Sequence, residues 1–334
     1  MASQATAGEQ RWRTALLVGP IVAFAGVAVG ITAYRQYERY QRRKVLFALI
    51  EKAEAGDTAA QLDYGDLLLR GTTYLEKNTE EGIEWYRRAA AADDPEANYR
   101  LARRYLSGKA VPQDDVRSYE LFLKASQLGN VAAMHNLGFL LAKGRGTTQN
   151  QRGAAAIYKK AANLNYAPAM VDFAIMVQEG RGTDKDEELA VYWFRKAADL
   201  GNKKAQFALG RAYANGRGVP QDDSKACEWY QVAAEQGSVE AMVNLGYMYK
   251  NGRGVRQNDG LAYGYYEEAA AGGNTQAMFT VANAYEQGKG GLAQDDDKAL
   301  HWYAKAAEKG HSRAKKSLKL LKSKTEKKKA LNAS

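Results

Sequence analysis

The chain has 334 residues, a formal net charge of +10 at pH 7 and one cysteine. A single cysteine excludes an intramolecular disulfide framework. The charge is unevenly spread, at +5 over residues 1–44, −3 over residues 45–312 and +8 over residues 313–334. The long central part therefore lacks the basic footprint of a nucleic-acid-binding domain.

The N-terminal part of the chain predicts a membrane anchor. A short tail, residues 1–13, precedes Thr14–Tyr34, a run of 21 residues without a charged side chain. As a helix this run would be about 31 Å long, which matches the apolar thickness of a bilayer. Residues 35–52 are predicted to continue as a basic juxtamembrane helix. The alternative is a secretory signal peptide, because residues 23–25 provide a small-residue cleavage site.

The charges beside this run predict which side of a membrane the rest of the chain occupies. Five basic residues lie within ten positions after the run, and two lie before it. Because the cytoplasmic flank usually carries the basic excess, the C-terminal part is predicted to face the cytosol, or the matrix if the membrane is mitochondrial. The expected localisation is that of a single-pass membrane protein, with a mitochondrial membrane favoured.

Residues 53–320 repeat one pattern about every 36 residues, which indicates a repeat protein. Each unit starts at a turn residue, the origin from which offsets are counted: Gly56, Asp93, Gly129, Asn165, Gly201, Gly237, Gly273 and Gly310. Offset four is alanine in all eight units, and offsets four, eight and twelve trace one face of a helix, named helix A. Offset nine is glycine or alanine in the seven full units, as the close approach of a second helix requires. Gln206, at offset five, is predicted to tolerate substitution.

A second helix, named helix B, is predicted in every full unit. Glycine at offset fifteen ends helix A in the left-handed conformation typical of helix C-termini. Short polar residues suited to capping free N-terminal amides mark the start of helix B in six units: Asp114, Asn150, Asp186, Asp222, Asp259 and Asp296. Helix B carries a mostly aromatic pair, such as Trp229-Tyr230, followed by a pair of small residues, such as Ala233-Ala234.

These units resemble the Sel-1-like repeat family, a relative of the tetratricopeptide repeats. The motif is fullest in units five to seven, for example Ala205-Gln-Phe-Ala-Leu-Gly-Arg-Ala-Tyr213 followed by Gly216-Arg-Gly-Val-Pro-Gln-Asp222, whereas unit one departs from it at Gly71. The resemblance implies an all-α fold, a right-handed α/α superhelical solenoid of about seven 36-residue helix-turn-helix repeats plus a partial C-terminal cap. One transmembrane helix is expected before this solenoid (residues 53–320) and a Lys-rich tail after it (residues 321–334). The resemblance also implies an adaptor or scaffold, usually without catalysis.

No combination of residues predicts chemistry. His135, His301 and His311 share no spacing, and Cys227 lies among the packing residues of a helix B. The acidic pairs that follow glutamine are better explained by helix capping than by a cation site. The Gly-Arg-Gly turns lack the strand and the Lys-Ser or Lys-Thr of a phosphate-binding loop. We therefore expect no enzyme activity, no catalytic, cofactor-binding or metal-binding residues, and neither nucleic acid nor a small-molecule substrate as ligand.

Partner binding is predicted on the exposed stripe of helix A. By resemblance to tetratricopeptide repeats, offsets six and ten line a concave groove, and aromatic residues beside Arg or Asn suit an extended peptide or a partner helix. The candidate groove residues are Tyr99, Arg103, His135, Phe139, Phe207, Arg211, Val243, Tyr247, Phe279 and Asn283. The alternative is that offset six packs inside the solenoid, since it is apolar or aromatic in nearly every unit.

The sequence therefore predicts a membrane-anchored protein–protein interaction scaffold or adaptor. Its expected partners are other proteins, such as peptide segments or helices of a membrane complex, and membrane lipid through the N-terminal helix. Two alternatives remain open. The first is a structural or assembly subunit of a large membrane complex, for instance of the mitochondrial inner membrane. The second is a secreted or periplasmic repeat effector released by signal cleavage.

Overall fold

The computed structural model describes the backbone of residues 27–332 and the side chains of residues 41–327. An N-terminal helix, α1 (Val27–Glu54), precedes an alternation of helices A and B. The helices A are α2 (Thr58–Arg70), α4 (Pro95–Ser107), α6 (Val131–Lys143), α8 (Ala167–Glu179), α10 (Lys203–Asn215), α12 (Val239–Asn251), α14 (Thr275–Gln287) and α16 (Ser312–Asn332). The helices B are α3 (Thr79–Ala91), α5 (Asp115–Gln127), α7 (Gln151–Asn163), α9 (Glu187–Asp199), α11 (Asp223–Glu235), α13 (Asp259–Ala271) and α15 (Asp296–Glu308). The predicted all-α repeat architecture is confirmed, and within these residues extended pairing is limited to one isolated bridge between Thr72 and Leu75.

The chain forms two compact units. Unit one contains the described residues up to Leu140 together with Gly144–Thr148, and unit two contains Leu141–Lys143 and the described residues from Gln149 onward. In unit one, helices α1 to α5 pack in sequence order, each on the next. In unit two, α7 to α16 do the same. A helix pair cannot bury its own apolar face, so this nearest-neighbour stacking provides the stability of a repeat protein.

The predicted turns between repeats are confirmed in all eight positions. Each turn residue has a positive φ, between 58° at Asp93 and 96° at Gly273. Six of the eight are glycine, which adopts this conformation without strain. The other two, Asp93 and Asn165, are residue types that enter the left-handed region more readily than most.

Side-chain caps set the start of nearly every helix. The residue after the turn, such as Asp57 or Asn274, accepts a hydrogen bond from the backbone N–H three positions on and so caps helix A. Tyr166, before α8, is the exception without a side-chain cap. For helix B the predicted caps are correct in α5, α7, α9 and α11. In α13 and α15 the caps are Asn258 and Asp295, one residue earlier than predicted, because their side chains accept from Leu261 and Lys298.

Helices A and B approach most closely at offset nine, as predicted. A Cβ atom added at Gly210 would lie 2.5 Å from the ring of Tyr230, and one at Gly246 would lie 2.6 Å from the ring of Tyr266. In these repeats the second aromatic residue of helix B therefore occupies the space that a side chain at offset nine would fill. The predicted inward face is also confirmed, because Leu209 at offset eight is fully buried.

The expectation for Gln206 is wrong. Its side chain is 3% exposed, and its amide donates a 3.4 Å hydrogen bond to the carbonyl oxygen of Ala198 at the end of the preceding helix B. Its Oε1 accepts a 2.8 Å hydrogen bond from Gln236. Offset five thus faces the neighbouring repeat, where Gln61 and Asn98 make equivalent bonds to Ala53 and Ala90 in unit one.

The last helix A, α16, stands without a helix B among the described residues. Ala314 and Leu321 are buried in the core that α14 and α15 build. Lys316 and Lys319, at offsets six and nine, are exposed, and Leu320 beside them is 72% exposed. The offsets that meet helix B in full repeats therefore carry lysine in α16.

The predicted membrane localisation is contradicted. Between residues 27 and 332 no helix combines the length and the apolar character that a bilayer crossing demands. Residues 14–26 of the predicted transmembrane helix lie outside the described residues, and α1 continues from Val27 across the boundary predicted at residue 35. Its uncharged N-terminal stretch is only eight residues long, because Arg35 follows it and four more basic residues lie between positions 39 and 44. The expected placement of the repeats on the cytosolic or matrix side of a membrane is therefore wrong as well.

Candidate partner-binding surface

The ten candidate groove residues all lie on helices A. Tyr99 and Arg103 are on α4, and His135 and Phe139 on α6. In unit two, three helices contribute one pair each: Phe207 and Arg211 on α10, Val243 and Tyr247 on α12, and Phe279 and Asn283 on α14. None of the ten is buried; Arg103, Arg211 and Tyr247 are exposed and the other seven are half-buried.

The phenylalanines at offset six pack on aromatic rings of helix B. The ring centroids of Phe207 and Tyr230 are 5.8 Å apart, and those of Phe279 and Tyr303 are 5.7 Å apart. Because Phe207 and Phe279 are only half-buried, the same rings also present some apolar area to the solvent. One side chain can therefore stabilise its repeat and still contact a ligand.

Arginines cover several of these rings. The guanidinium of Arg211 lies 6.0 Å from the ring of Phe207, and that of Arg103 lies 5.6 Å from the ring of Tyr99. Cation–π contacts of this kind restrict a long side chain before any ligand arrives. Tyr247 has 48% of its surface exposed, with the Arg253 guanidinium 6.0 Å from its ring.

The groove face of α10 borders a small concavity in unit two. Its apolar lining comes from Phe194 of α9 and from Ala208 and Ala212 of α10. Its polar lining consists of Gln178 from α8, Asn215 and Arg211 from α10, and Arg217 from the loop after α10. Ala208 and Ala212 create the space, because a larger side chain at either position would fill it.

Sequence reasoning missed a cluster of ion pairs around Asp66 in unit one. Asp66, at offset ten of the first repeat, accepts a 2.8 Å hydrogen bond from Arg100 and lies 3.8 Å from the guanidinium of Arg104. Tyr86 also donates its hydroxyl hydrogen to Asp66, and burial together with this carboxylate raises the pKa of Tyr86. Two arginines of α4, beside the candidate residue Arg103, are thus already paired with a carboxylate of the chain. The sequence signal for this contact was an acid at offset ten, where two other repeats carry Arg and two carry an aromatic residue.

Sequence reasoning also missed the partners of the acidic pairs. Asp114 caps α5 as predicted, but Asp115 binds the Gly-Arg-Gly loop of the next repeat. Arg145 donates from Nε and Nη2 to the two carboxylate oxygens of Asp115, at 2.9 and 2.6 Å. These bonds lower the pKa of Asp115. In unit two Arg253 binds Asp223 in the same way, at 3.0 and 2.7 Å.

The histidines and the cysteine have packing roles or lie at the surface. His311 accepts a hydrogen bond from the N–H of Ala314 at the start of α16, and its ring stacks on Phe279 at 4.7 Å. Cys227 is buried, which raises the pKa of its thiol to about 11 and keeps it protonated at neutral pH. Across the described residues, no group of three or more His, Cys, Asp or Glu side chains could hold a metal ion.

The repeat geometry matches a known family. The Sel1 repeat model matches seven consecutive segments, residues 58–94, 95–130, 131–166, 167–202, 203–238, 239–274 and 275–311. The chain belongs to the Sel1 repeat family. The predicted number and register of the Sel1 repeats are thereby confirmed.

Two solved Sel1 repeat structures are similar to this chain. A Sel1 repeat protein from Oxalobacter formigenes is 30% identical, with a TM-score of 0.74, over 85% of this chain and 82% of that protein. A protective antigen present in uropathogenic Escherichia coli strains is 32% identical, also with a TM-score of 0.74, over 82% of this chain. The match spans 58% of the E. coli protein. No curated protein matches the chain.

Membership of the Sel1 repeat family limits the function that the fold supports. Sel1 repeats form all-α arrays suited to protein–protein interaction, and the family fold is typically a scaffold without catalysis. Both similar structures are bacterial proteins and give no support to the predicted mitochondrial membrane.

Proposed function

We propose that this Sel1 repeat protein is a non-catalytic scaffold that binds a segment of a partner protein along the helix A faces of unit two. The observation that carries this proposal is the accessibility of large side chains at equivalent offsets of consecutive helices. Phe207, Tyr247 and Phe279 expose aromatic area although each belongs to a repeat with a complete core. Interface energy concentrates in such aromatic and arginine side chains.

The proposed partner segment is an extended peptide or a helix. The candidate residues on α10, α12 and α14 recur once per repeat, so a partner lying across these helices would meet an apolar side chain at offset six of each in turn. Rings that are already packed on helix B, as Phe207 is on Tyr230, lose little conformational freedom on binding. This preorganisation supports binding without any rearrangement of the repeats.

The test removes two exposed anchors, one from α10 and one from α12. The Arg211→Ala/Tyr247→Ala variant should lose partner recovery in affinity purification with crosslinking, while its helicity and melting temperature stay close to wild type. Loss of a true anchor typically costs about 2 kcal/mol or more of binding free energy.

A matched control lies on a helix B. Tyr192 is 50% exposed, and the Lys196 ammonium lies 4.9 Å from its ring, so Tyr192→Ala/Lys196→Ala removes a similar aromatic–cation pair from α9. Partners should still be recovered with this variant. Recovery of every partner by the Arg211/Tyr247 variant would move the binding surface elsewhere, and unfolding of that variant would identify its side chains as core.

A further inference from the structure

One loop arginine differs from its equivalents in the other repeats. The Gly-Arg-Gly loops place Arg145, Arg181 and Arg253 each in an ion pair with a carboxylate of the chain. Arg217 occupies the same loop position after α10. Among the described residues its guanidinium has neither an ion pair nor a hydrogen bond with another side chain.

The carboxylate that could pair with Arg217 is already engaged. Asp115 and Asp223, the partners of Arg145 and Arg253, are the first residues of their helices B. The equivalent first residue of α9 is Glu187, which pairs with Lys185 at 3.1 Å. Arg217 therefore occupies a position from which other repeats bind a carboxylate, but it has no carboxylate partner of its own among the described residues.

Arg217 lines the same concavity as a second arginine without a carboxylate partner. Arg211 touches the ring of Phe207, and no ion pair of Arg211 occurs in the part of the chain that the structure describes. The amide groups of Gln178 and Asn215 also line the concavity. Two arginines at one concavity favour an anion, because a guanidinium group forms a stronger hydrogen bond with a charged acceptor than with a neutral one.

We propose that this concavity binds a carboxylate group of the partner segment, with Arg211 and Arg217 as its cationic contacts. The proposal rests on the scaffold function proposed above and specifies the chemistry of the partner at one point of the groove. The choice of a carboxylate follows from the chain itself, since each of the other three loop arginines pairs with one. The planar guanidinium fork matches a carboxylate with two parallel hydrogen bonds.

Four fluorescent octapeptides distinguish the sources of the carboxylate. All share one leucine-containing sequence, with either glutamate and a C-terminal amide, glutamine and an amide, phosphoserine and an amide, or glutamine and a free C-terminal carboxylate. Binding to the full chain is measured by fluorescence anisotropy. We expect saturable binding of the glutamate peptide, of the free-carboxylate peptide, or of both, and at least tenfold weaker binding of the glutamine amide.

Variants then assign the binding to the two arginines. Arg211→Gln/Arg217→Gln should weaken binding of the carboxylate peptides at least tenfold, whereas Arg181→Gln, in an equivalent loop, should leave it unchanged. The carboxylate assignment is overturned if no carboxylate peptide binds, if the glutamine amide binds equally well, if phosphoserine binds more tightly, or if the double variant retains full affinity.

Partner capture distinguishes failure of the carboxylate site from failure of the proposed scaffold function. Capture that is lost in Arg211→Ala/Tyr247→Ala but unchanged in Arg217→Gln would retain the scaffold and overturn the carboxylate site. Loss of capture in Arg217→Gln, with unchanged melting temperature, would support both.

Discussion

Glycine has two separate roles in these repeats, and Gly201 and Gly218 illustrate them. Both have a positive φ, 78° and 67°. A Cβ at Gly201 would meet nothing within 4 Å, whereas one at Gly218 would lie 2.1 Å from the carbonyl oxygen of Glu187. Gly201 is therefore required only by its backbone conformation, and Gly218 also by the close contact of its loop with the start of α9.

Alanine substitutions should separate these two roles. Gly201→Ala should cost about 1 kcal/mol of folding free energy, the strain of a left-handed alanine. Gly218→Ala should cost about 3 kcal/mol or more, because the loop must also move away from α9. Thermal unfolding followed by circular dichroism measures both. Equal losses at the two positions would show that the loop does not rest on α9.

The buried amide of Gln206 gives a second prediction at this scale. Methionine stands at offset five in four other repeats, at Met134, Met170, Met242 and Met278. Gln206→Met should therefore change stability by less than about 1.5 kcal/mol, since it conserves side-chain volume. Gln206→Ala should cost about 2 kcal/mol, because it leaves a cavity and removes two hydrogen bonds. A Gln206→Ala variant that melts with wild type would contradict the burial of this side chain.

At the scale of the element, the ion pair between Asp115 and Arg145 ties a loop to the first turn of α5. Hydrogen bonds from Arg145 lower the pKa of Asp115 in the folded state. A lowered pKa means that the pair stabilises the fold above the unfolded pKa, about 3.9. That stabilisation is lost as the pH falls through the folded pKa.

Arg145→Ala should therefore destabilise the protein in a pH-dependent way. At pH 7 we expect a loss of about 1 kcal/mol, limited by solvent screening, and hence a melting temperature lower by roughly 2–4 °C. The difference should shrink as the pH falls below about 4, because protonation of Asp115 removes the ion pair. Arg217→Ala, which removes the loop arginine without an ion pair, should leave the melting temperature unchanged at every pH. Scanning calorimetry from pH 7 downward decides the outcome, and a difference that does not shrink in acid would contradict an electrostatic origin.

The helices and their close approach at offset nine could be predicted from recurring patterns, whereas specific side-chain pairs between helices could not. The spacing of alanine, leucine and aromatic residues predicts helices A and B, because the buried face of a helix repeats every three to four residues. Asp115 and Arg145 lie 30 positions apart in the sequence, and only the folded structure shows that they form an ion pair. The burial of Gln206 could not be predicted for the same reason, because a pattern of apolar positions does not identify a buried polar residue.

The candidate site could be predicted only in part. The offset of Arg211 identified it as accessible, because all helices A share one inward face. Arg217 escaped, since it lies in a loop whose basic residue recurs in other repeats with a purely structural partner. Arg217 has no carboxylate partner because Glu187, the acid at the equivalent position, pairs with Lys185, and the sequence does not show this pairing.

At the scale of the whole molecule, the charge distribution separates the repeats from the final helix. Residues 45–312 carry −3 and residues 313–334 carry +8. Lys316 and Lys319 occupy the offsets that in full repeats hold an apolar residue and a small residue, respectively, against helix B. The face of α16 at offsets six and nine is therefore polar, as the outer face of a capping repeat must be for solubility.

Restoring the repeat pattern in α16 should make the chain self-associate. Lys316→Phe/Lys319→Ala supplies the ring and the small residue on which a helix B packs in other repeats. We expect concentration-dependent association in sedimentation velocity. The control Lys324→Phe/Lys327→Ala makes the same composition change, with the same spacing, at exposed positions further along α16 and should remain unassociated. Equal association of both variants would attribute the effect to surface hydrophobicity alone.

The lysines of α16 also constrain how this array can lengthen. A duplicated repeat inserted before residue 312 would stack between compatible neighbours and leave the lysine-bearing helix at the end. The same repeat appended after α16 would press its first helix against Lys316 and Lys319 and bury their ammonium groups without partners. A repeat added before α16 therefore keeps the existing packing, whereas a repeat added after it would also require replacement of Lys316 and Lys319.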